Sequence, residues 1–318
     1  MIRFFAENRG ITLFLLPVLI IIYPVLNHYF INFPPTNELD LNLFGTYTIS
    51  DSLILSIIAP ILALFNSIII NLIFNRMNYH EKTIHLPGFI YIVWLSFFSS
   101  LYQLDSILLA HTFLILMIAQ ILKLNQNEDG RKLIFNAALF AGIATCLHPS
   151  IIILFPFLFI LLWSMRPFIF RESILLIAGY ITPFLYALSI LYLSSNNYTQ
   201  NIEFKTIQFF EQSISLLYIA TLLALFIILS LLGVRIKLQK SSIKFRKSTR
   251  LLGITVFALT LVSITDLFQS QDVQSFSILM IVFCMFNTFS YLKKPISFIS
   301  NSVFLIVLIS SIVNFLLK

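Results

Sequence analysis

Few residues in this sequence have side chains that could act on a substrate. Glu38 and Asp40, in Asn-Glu-Leu-Asp-Leu-Asn, and Asp105, in Gln-Leu-Asp-Ser, are carboxylates set between long apolar runs. Carboxylates so placed could serve as a general base or bind a divalent cation. Asp51, Glu203, Glu211, Asp266 and Asp272 are similarly placed, His111 lies inside an apolar run, and His148 sits in Cys-Leu-His-Pro-Ser. Each also has a plainer use. Asp51, ahead of Ser-Leu-Ile-Leu, reads as a helix cap or first-turn charge, and Asp105 could cap the run it precedes. Glu38 and Asp40 could simply solvate a loop, and Asp266 and Asp272 read as solvated ends of a glutamine-rich turn. His111 needs a partner at its depth. Asp105 precedes it by six residues, about 120° round a helix, so the two do not share a face. His148 reads equally as a polar turn residue and as a site residue. No His, Cys and Asp set has metal-ligand spacing. The chain has no P-loop, dinucleotide glycine pattern or nucleophile elbow. Cys146 and Cys284 lie in apolar segments and read as small buried hydrophobes.

The elements that must position these residues follow from composition. Hydrophobic residues make up 59% of the chain, charged residues 10%, and mean hydropathy is +0.96. A soluble chain carries roughly 25% charged residues, so lipid is the expected solvent. Helix-length runs exclude a β-barrel, and the predicted fold is an all-α polytopic transmembrane protein. Eleven spans are expected, at roughly 11–30, 52–74, 86–102, 106–124, 133–147, 150–165, 173–193, 213–234, 251–268, 276–292 and 298–317; the third, fifth and sixth are short for a core crossed by about 20 residues. The first span follows Arg3 and Arg9 with no small-x-small cleavage site after it, and so reads as an uncleaved helix.

Cytoplasmic loops carry an excess of Lys and Arg. With the N-terminus inside, eighteen of the twenty basic residues fall inside and only Lys205 and Lys318 outside. This predicts a cytoplasmic N-terminus, an external C-terminus and an acidic outer face. The one basic cluster, Lys237 to Arg250, is expected as a cytoplasmic loop; Lys244, Arg246 and Lys247 there would contact anionic lipid or a partner. A net charge of +7 spread over short loops is not a nucleic-acid footprint. With only eight glycines, small-residue helix packing and a transporter repeat are both disfavoured.

The order of features resembles the membrane half of GT-C glycosyltransferases over residues 1–195. The features are a first helix, then Glu38-Leu-Asp40, then Tyr-Gln-Leu-Asp105-Ser-Ile-Leu-Leu, then Ala-Gly142-Ile-Ala-Thr-Cys-Leu-His148-Pro149-Ser running into Leu-Phe-Pro156-Phe-Leu-Phe-Ile-Leu-Leu-Trp163. The chain is also similar to uncharacterised bacterial polytopic inner-membrane proteins of this length. The GT-C resemblance implies a polyprenyl-phosphate sugar donor. It implies Glu38 or Asp40 as the first-loop catalytic carboxylate, Asp105 as the second, and His148 and Lys205 near the donor phosphate. The first loop lacks the basic residue that often accompanies the acid. The outer face has only Lys205 and Lys318 as permanent cations, a thin provision for a lipid phosphate.

The expectation is therefore one integral membrane domain, with residues 196–318 adding C-terminal helices to a GT-C-like part. The leading functional reading is a non-catalytic subunit of a bacterial envelope assembly, in contact with other membrane proteins. A GT-C-like transferase, with or without a divalent metal, is the second reading, and a transporter the third.

Overall fold

Runs of Leu, Ile, Phe and Ala carry no side chain that competes with the backbone for hydrogen bonds. In an apolar surrounding, every peptide group must be bonded within its own segment. Both facts favour helices. The computed structural model describes residues 10–30, 37–48, 51–77, 83–124, 130–193, 214–239, 241, 243–270, 273–291 and 296–314. Eleven α-helices run through them: α1 Gly10–Phe30, α2 Ser52–Arg76, α3 Leu86–Leu95, α4 Ser106–Leu124, α5 Arg131–Leu147, α6 Leu154–Met165, α7 Phe170–Leu193, α8 Ile214–Gln239, α9 Ile243–Ser270, α10 Met280–Tyr291 and α11 Ile296–Val313.

These helices match the eleven expected runs, with four informative differences. The third run breaks: α3 stops at Leu95 and a 3-10 turn follows at Ser99–Leu101. At 1.5 Å per residue, α3 is about 15 Å long, half of a hydrocarbon core. The tenth run opens as a 3-10 segment, Val273–Leu279; its looser rise brings the segment and α10 together to about 32 Å. The basic cluster is largely helical and not a loop. α9 begins at Ile243, so Lys244, Arg246, Lys247 and Arg250 lie on its first two turns. Hydropathy falls where the charges begin, but Lys and Arg are good helix formers and the backbone ladder continues. Finally, the fold is not purely helical. Strand β1, Glu38–Asp40, pairs antiparallel with β2, Thr46–Thr48, placing Glu38 opposite Thr48 and Asp40 opposite Thr46.

α3 and α10 are buried at every residue and form the centre. α10 packs on α3, α8 and α11, and α2 packs on α3, so the C-terminal helices close on the N-terminal ones. Beside them α5 is sandwiched between α4 and α7, and α9 lies along α6 and the Val273–Leu279 segment. The glycine count misleads at the α5–α7 crossing. A Cβ on Gly142 would come within 2.5 Å of the Tyr180 carbonyl oxygen, and one on Gly179 within 2.6 Å of the Phe135 carbonyl oxygen. Each glycine admits the backbone of the opposite helix, the small-residue packing common between helices in lipid. The glycines are few, but two of them lie at one crossing, Gly142 against Tyr180 and Pro183 and Gly179 against Phe135 and Ala138.

The outward faces are apolar. Along α2, Leu53, Ile57, Ile61, Phe65, Ile68 and Leu72 are all exposed. α2, α4, α7, Thr221–Gln239 of α8 and Phe245–Phe268 of α9 are each long and apolar enough to cross a membrane. A contiguous surface of this kind is covered by lipid or by other protein, and with five such helices the chain has the make-up of a membrane protein.

Candidate functional site

The carboxylates and histidines of interest gather at the end of the bundle that carries the hairpin. Asn42 turns the chain with a positive φ of 52° and Gly45 with one of 101°. The Asp40 Oδ1 accepts the Asn42 N–H at 2.9 Å and fixes the start of that turn. The Asn42 amide then donates to the Leu147 carbonyl at 2.6 Å and lies 3.5 Å from the Ser106 hydroxyl. Leu147 ends α5, where carbonyls lack helical partners. One asparagine thus fastens the hairpin to the end of α5 and the start of α4. The Glu38 and Asp40 side chains remain exposed.

Asp105 caps α4. Its Oδ1 accepts the Leu108 N–H at 2.7 Å, and its Oδ2 accepts the Ser100 hydroxyl at 2.6 Å. The carboxylate therefore holds both the first turn of α4 and the 3-10 turn before it. Asp51 caps α2 in the same way, accepting the Leu53 N–H at 3.0 Å.

The two histidines find partners far away in sequence. His111 is fully buried, with Nδ1 3.0 Å from the Tyr91 hydroxyl on α3 and Nε2 3.3 Å from the Ser277 hydroxyl ahead of α10. The partner it needs comes from other elements and not from Asp105. His148 closes α5, and its Nε2 lies 3.1 Å from Asp266 Oδ1. That contact is short but lacks the alignment of a hydrogen bond. The same Asp266 oxygen accepts the Ser150 hydroxyl at 2.9 Å. The expectation that Asp266 is a solvated end is incorrect. It is only 4% exposed, because α9 continues to Ser270 and packs its last turns against the Pro149–Ile153 turn.

Among the described residues no three His, Cys, Asp or Glu side chains are grouped to hold a metal ion. Lys205, Glu203, Glu211, Asp272 and Lys318 lie outside the described residues. At the opposite end, Lys247 donates to the Met165 carbonyl at 3.3 Å, Lys237 sits 5.9 Å over the Phe245 ring, and Arg166 pairs with the buried Glu172 at 3.2 Å. Lys244 lies on α9, and Arg246 beside it is exposed.

The structure thus brings Asp40, Asp105 and His148 to one end, joined by the contacts of Asn42. Sequence reasoning overlooked Asn42, Tyr91, Ser150 and Ser277. Asn42 was open to detection, since an Asp-Leu-Asn triplet in a short polar loop is a typical side chain-to-backbone turn. The other three carry no local sign of their partners.

A family model matches residues 39–318, from the first strand to the end of the chain. The chain belongs to DUF6427, a family of unknown function. The DUF6427 match takes in the hairpin from its second residue, His111, His148 and α2 to α11. No curated protein and no solved structure matches the chain.

Proposed function

We propose that this DUF6427 protein is a non-catalytic subunit of a membrane assembly in the bacterial cell envelope. It would lie in the cytoplasmic membrane with its N-terminus inside and the hairpin end outside. One observation carries the reading: apart from the exposed Glu38 and Asp40, the carboxylates at the hairpin end are engaged in holding the protein together. Asp105 uses both oxygens as a cap and a tie, Asp51 is a cap, and Asp266 joins His148 and Ser150 in a corner. A general base needs a lone pair aimed at substrate, and these lone pairs point at backbone N–H groups and hydroxyls of the chain.

The test separates a cap from a base. Asn caps a helix about as well as Asp, whereas Ala costs about 0.5–2 kcal/mol. Asp105→Asn should therefore leave stability and co-purifying partners unchanged, while Asp105→Ala should lower the unfolding temperature. Affinity purification from native membranes in mild detergent should recover a defined assembly with both the wild type and Asp105→Asn. Recovery of the wild type alone, as a monomer, would overturn the subunit reading.

A second reading is favoured by the Asn42–Leu147 contact. It seats the first loop beside His148 and the cap of α4, the neighbourhood implied by the resemblance to GT-C transferases that use polyprenyl-phosphate sugars. In that reading Glu38, Asp40 and Asp105 are the acid–base or metal-binding groups, and His148 with Lys205 faces the donor phosphate. Transfer of sugar from a polyprenyl-phosphate donor by purified protein, lost in Asp40→Asn, would establish it.

A further inference from the structure

Of the seven basic residues from Arg235 to Arg250, two are engaged within the protein and three face one cleft. Lys237 and Lys247 are committed within the protein, the first over Phe245 and the second to the Met165 carbonyl. Arg235, Arg246 and Arg250 form no hydrogen bond or ion pair with any described residue, and all three line a single cleft between α8 and α9. The cleft measures about 870 Å³, near the top of the roughly 300–1,000 Å³ usual for small-molecule sites.

The spacing explains why the cleft is lined this way. α8 contributes Leu231, Val234, Arg235 and Leu238, and α9 contributes Arg246, Thr249, Arg250 and Gly253. Both sets follow the i, i+3, i+4, i+7 pattern of one helical face. Two faces that would ordinarily meet in a tight seam are instead held apart. The arginines sit toward the chain ends of the two helices. One turn deeper are Leu231, Gly253 and the buried Phe286 of α10. Even at Gly253 there is room, since a Cβ there would find nothing within 4 Å. The cleft is thus cationic at its mouth and apolar below, where the helices enter their lipid-facing lengths.

We infer that this cleft binds an acidic phospholipid, its phosphate held by Arg235, Arg246 and Arg250 and an acyl chain lying against Leu231, Gly253 and Phe286. A guanidinium fork matches the oxygens of a phosphate. Basic pockets between transmembrane helices are suited to anionic headgroups. An apolar floor beneath the cations selects a lipid over a free anion. The assignment holds whether the hairpin end is structural or catalytic.

The experiment uses the full chain, purified in detergent. Bound lipid is read by native mass spectrometry after titration with phosphatidylglycerol or with phosphatidylcholine of the same acyl chains. Wild type should prefer phosphatidylglycerol by about tenfold or more, because the choline cation of phosphatidylcholine opposes the three arginines. Changing Arg235, Arg246 and Arg250 together to Gln should erase that preference; Lys237, Lys240, Lys244 and Lys247 remain to hold topology. Gly253→Leu fills the cleft without altering charge. It should reduce retention of both lipids while the unfolding temperature of lipid-free protein stays level or rises. Equal binding of the two lipids by wild type would overturn the assignment. So would unchanged retention in Gly253→Leu, and so would full displacement of the lipid by millimolar inorganic phosphate, which would mark a free-anion site.

Discussion

His111 lies among apolar helices with a hydroxyl on each ring nitrogen, Tyr91 on one side and Ser277 on the other. A neutral imidazole donates from one nitrogen and accepts at the other, and hydroxyls can answer either tautomer. Both ring nitrogens are thus satisfied, and the ring links α3, α4 and the segment ahead of α10. His111→Phe keeps an aromatic ring but strands both hydroxyls, at a cost of about 1–3 kcal/mol each if neither finds another partner. The expected outcome is a lower unfolding temperature in detergent. Adding Tyr91→Phe removes one stranded group, so the double variant should lose less than the sum of the two singles. Strict additivity would show that ring and hydroxyl do not interact. At this scale the sequence reveals whatever is local. Asp51 and Asp105 can be read as caps because a cap is written in a few consecutive residues. Ser277 is 166 residues from His111, and Asp266 is 116 from Ser150. No single sequence encodes such meetings in a pattern that can be read beforehand.

At the scale of elements, the α5–α7 crossing is the most demanding contact. Gly142→Ala would drive a Cβ into the Tyr180 carbonyl and force α5 and α7 apart. Overpacking of this kind costs about 1–3 kcal/mol. The same change at Gly253 enters open space and removes a poor helix former from a helix interior, so Gly253→Ala should be neutral or stabilising. Comparing the two unfolding temperatures checks the crossing against a built-in control; equal effects would mean that α5 and α7 are not held at this distance. Hydropathy located all eleven helices because each is an apolar run. It missed the start of α9, where the charged residues Lys244 to Arg250 are helical, and the end of α3, where Phe97 to Ser100 leave the ladder while the apolar run continues. Hydropathy reports the surroundings of a side chain, and both boundaries are set by the backbone. The glycine count failed for a related reason. Helix packing depends on where a glycine falls, and Gly142 and Gly179 each fall against the backbone of the opposite helix.

For the molecule as a whole, the proposed orientation can be tested with reporter fusions. The lopsided placement of Lys and Arg predicts that fusions after Asn37 and Ser270 report outside and that fusions after Asn127 and Ser242 report inside. An outside signal after Ser242 would overturn the eleven-span arrangement and would put the α8–α9 cleft in the opposite leaflet. The burial of α3 and α10 has another consequence, for the thickness of the bilayer. A helix that touches lipid answers a thicker or thinner membrane by tilting, kinking or drawing its ends inward. α3 and α10 are walled by protein at every residue, so membrane thickness acts on them only through their neighbours. α2, α7 and the lipid-facing parts of α8 and α9 take the strain directly. In vesicles of graded acyl-chain length, the outer helices should adjust around a centre that keeps its length, and the strain should concentrate where the two meet, along the faces that α2 and α8 turn toward α3 and α10.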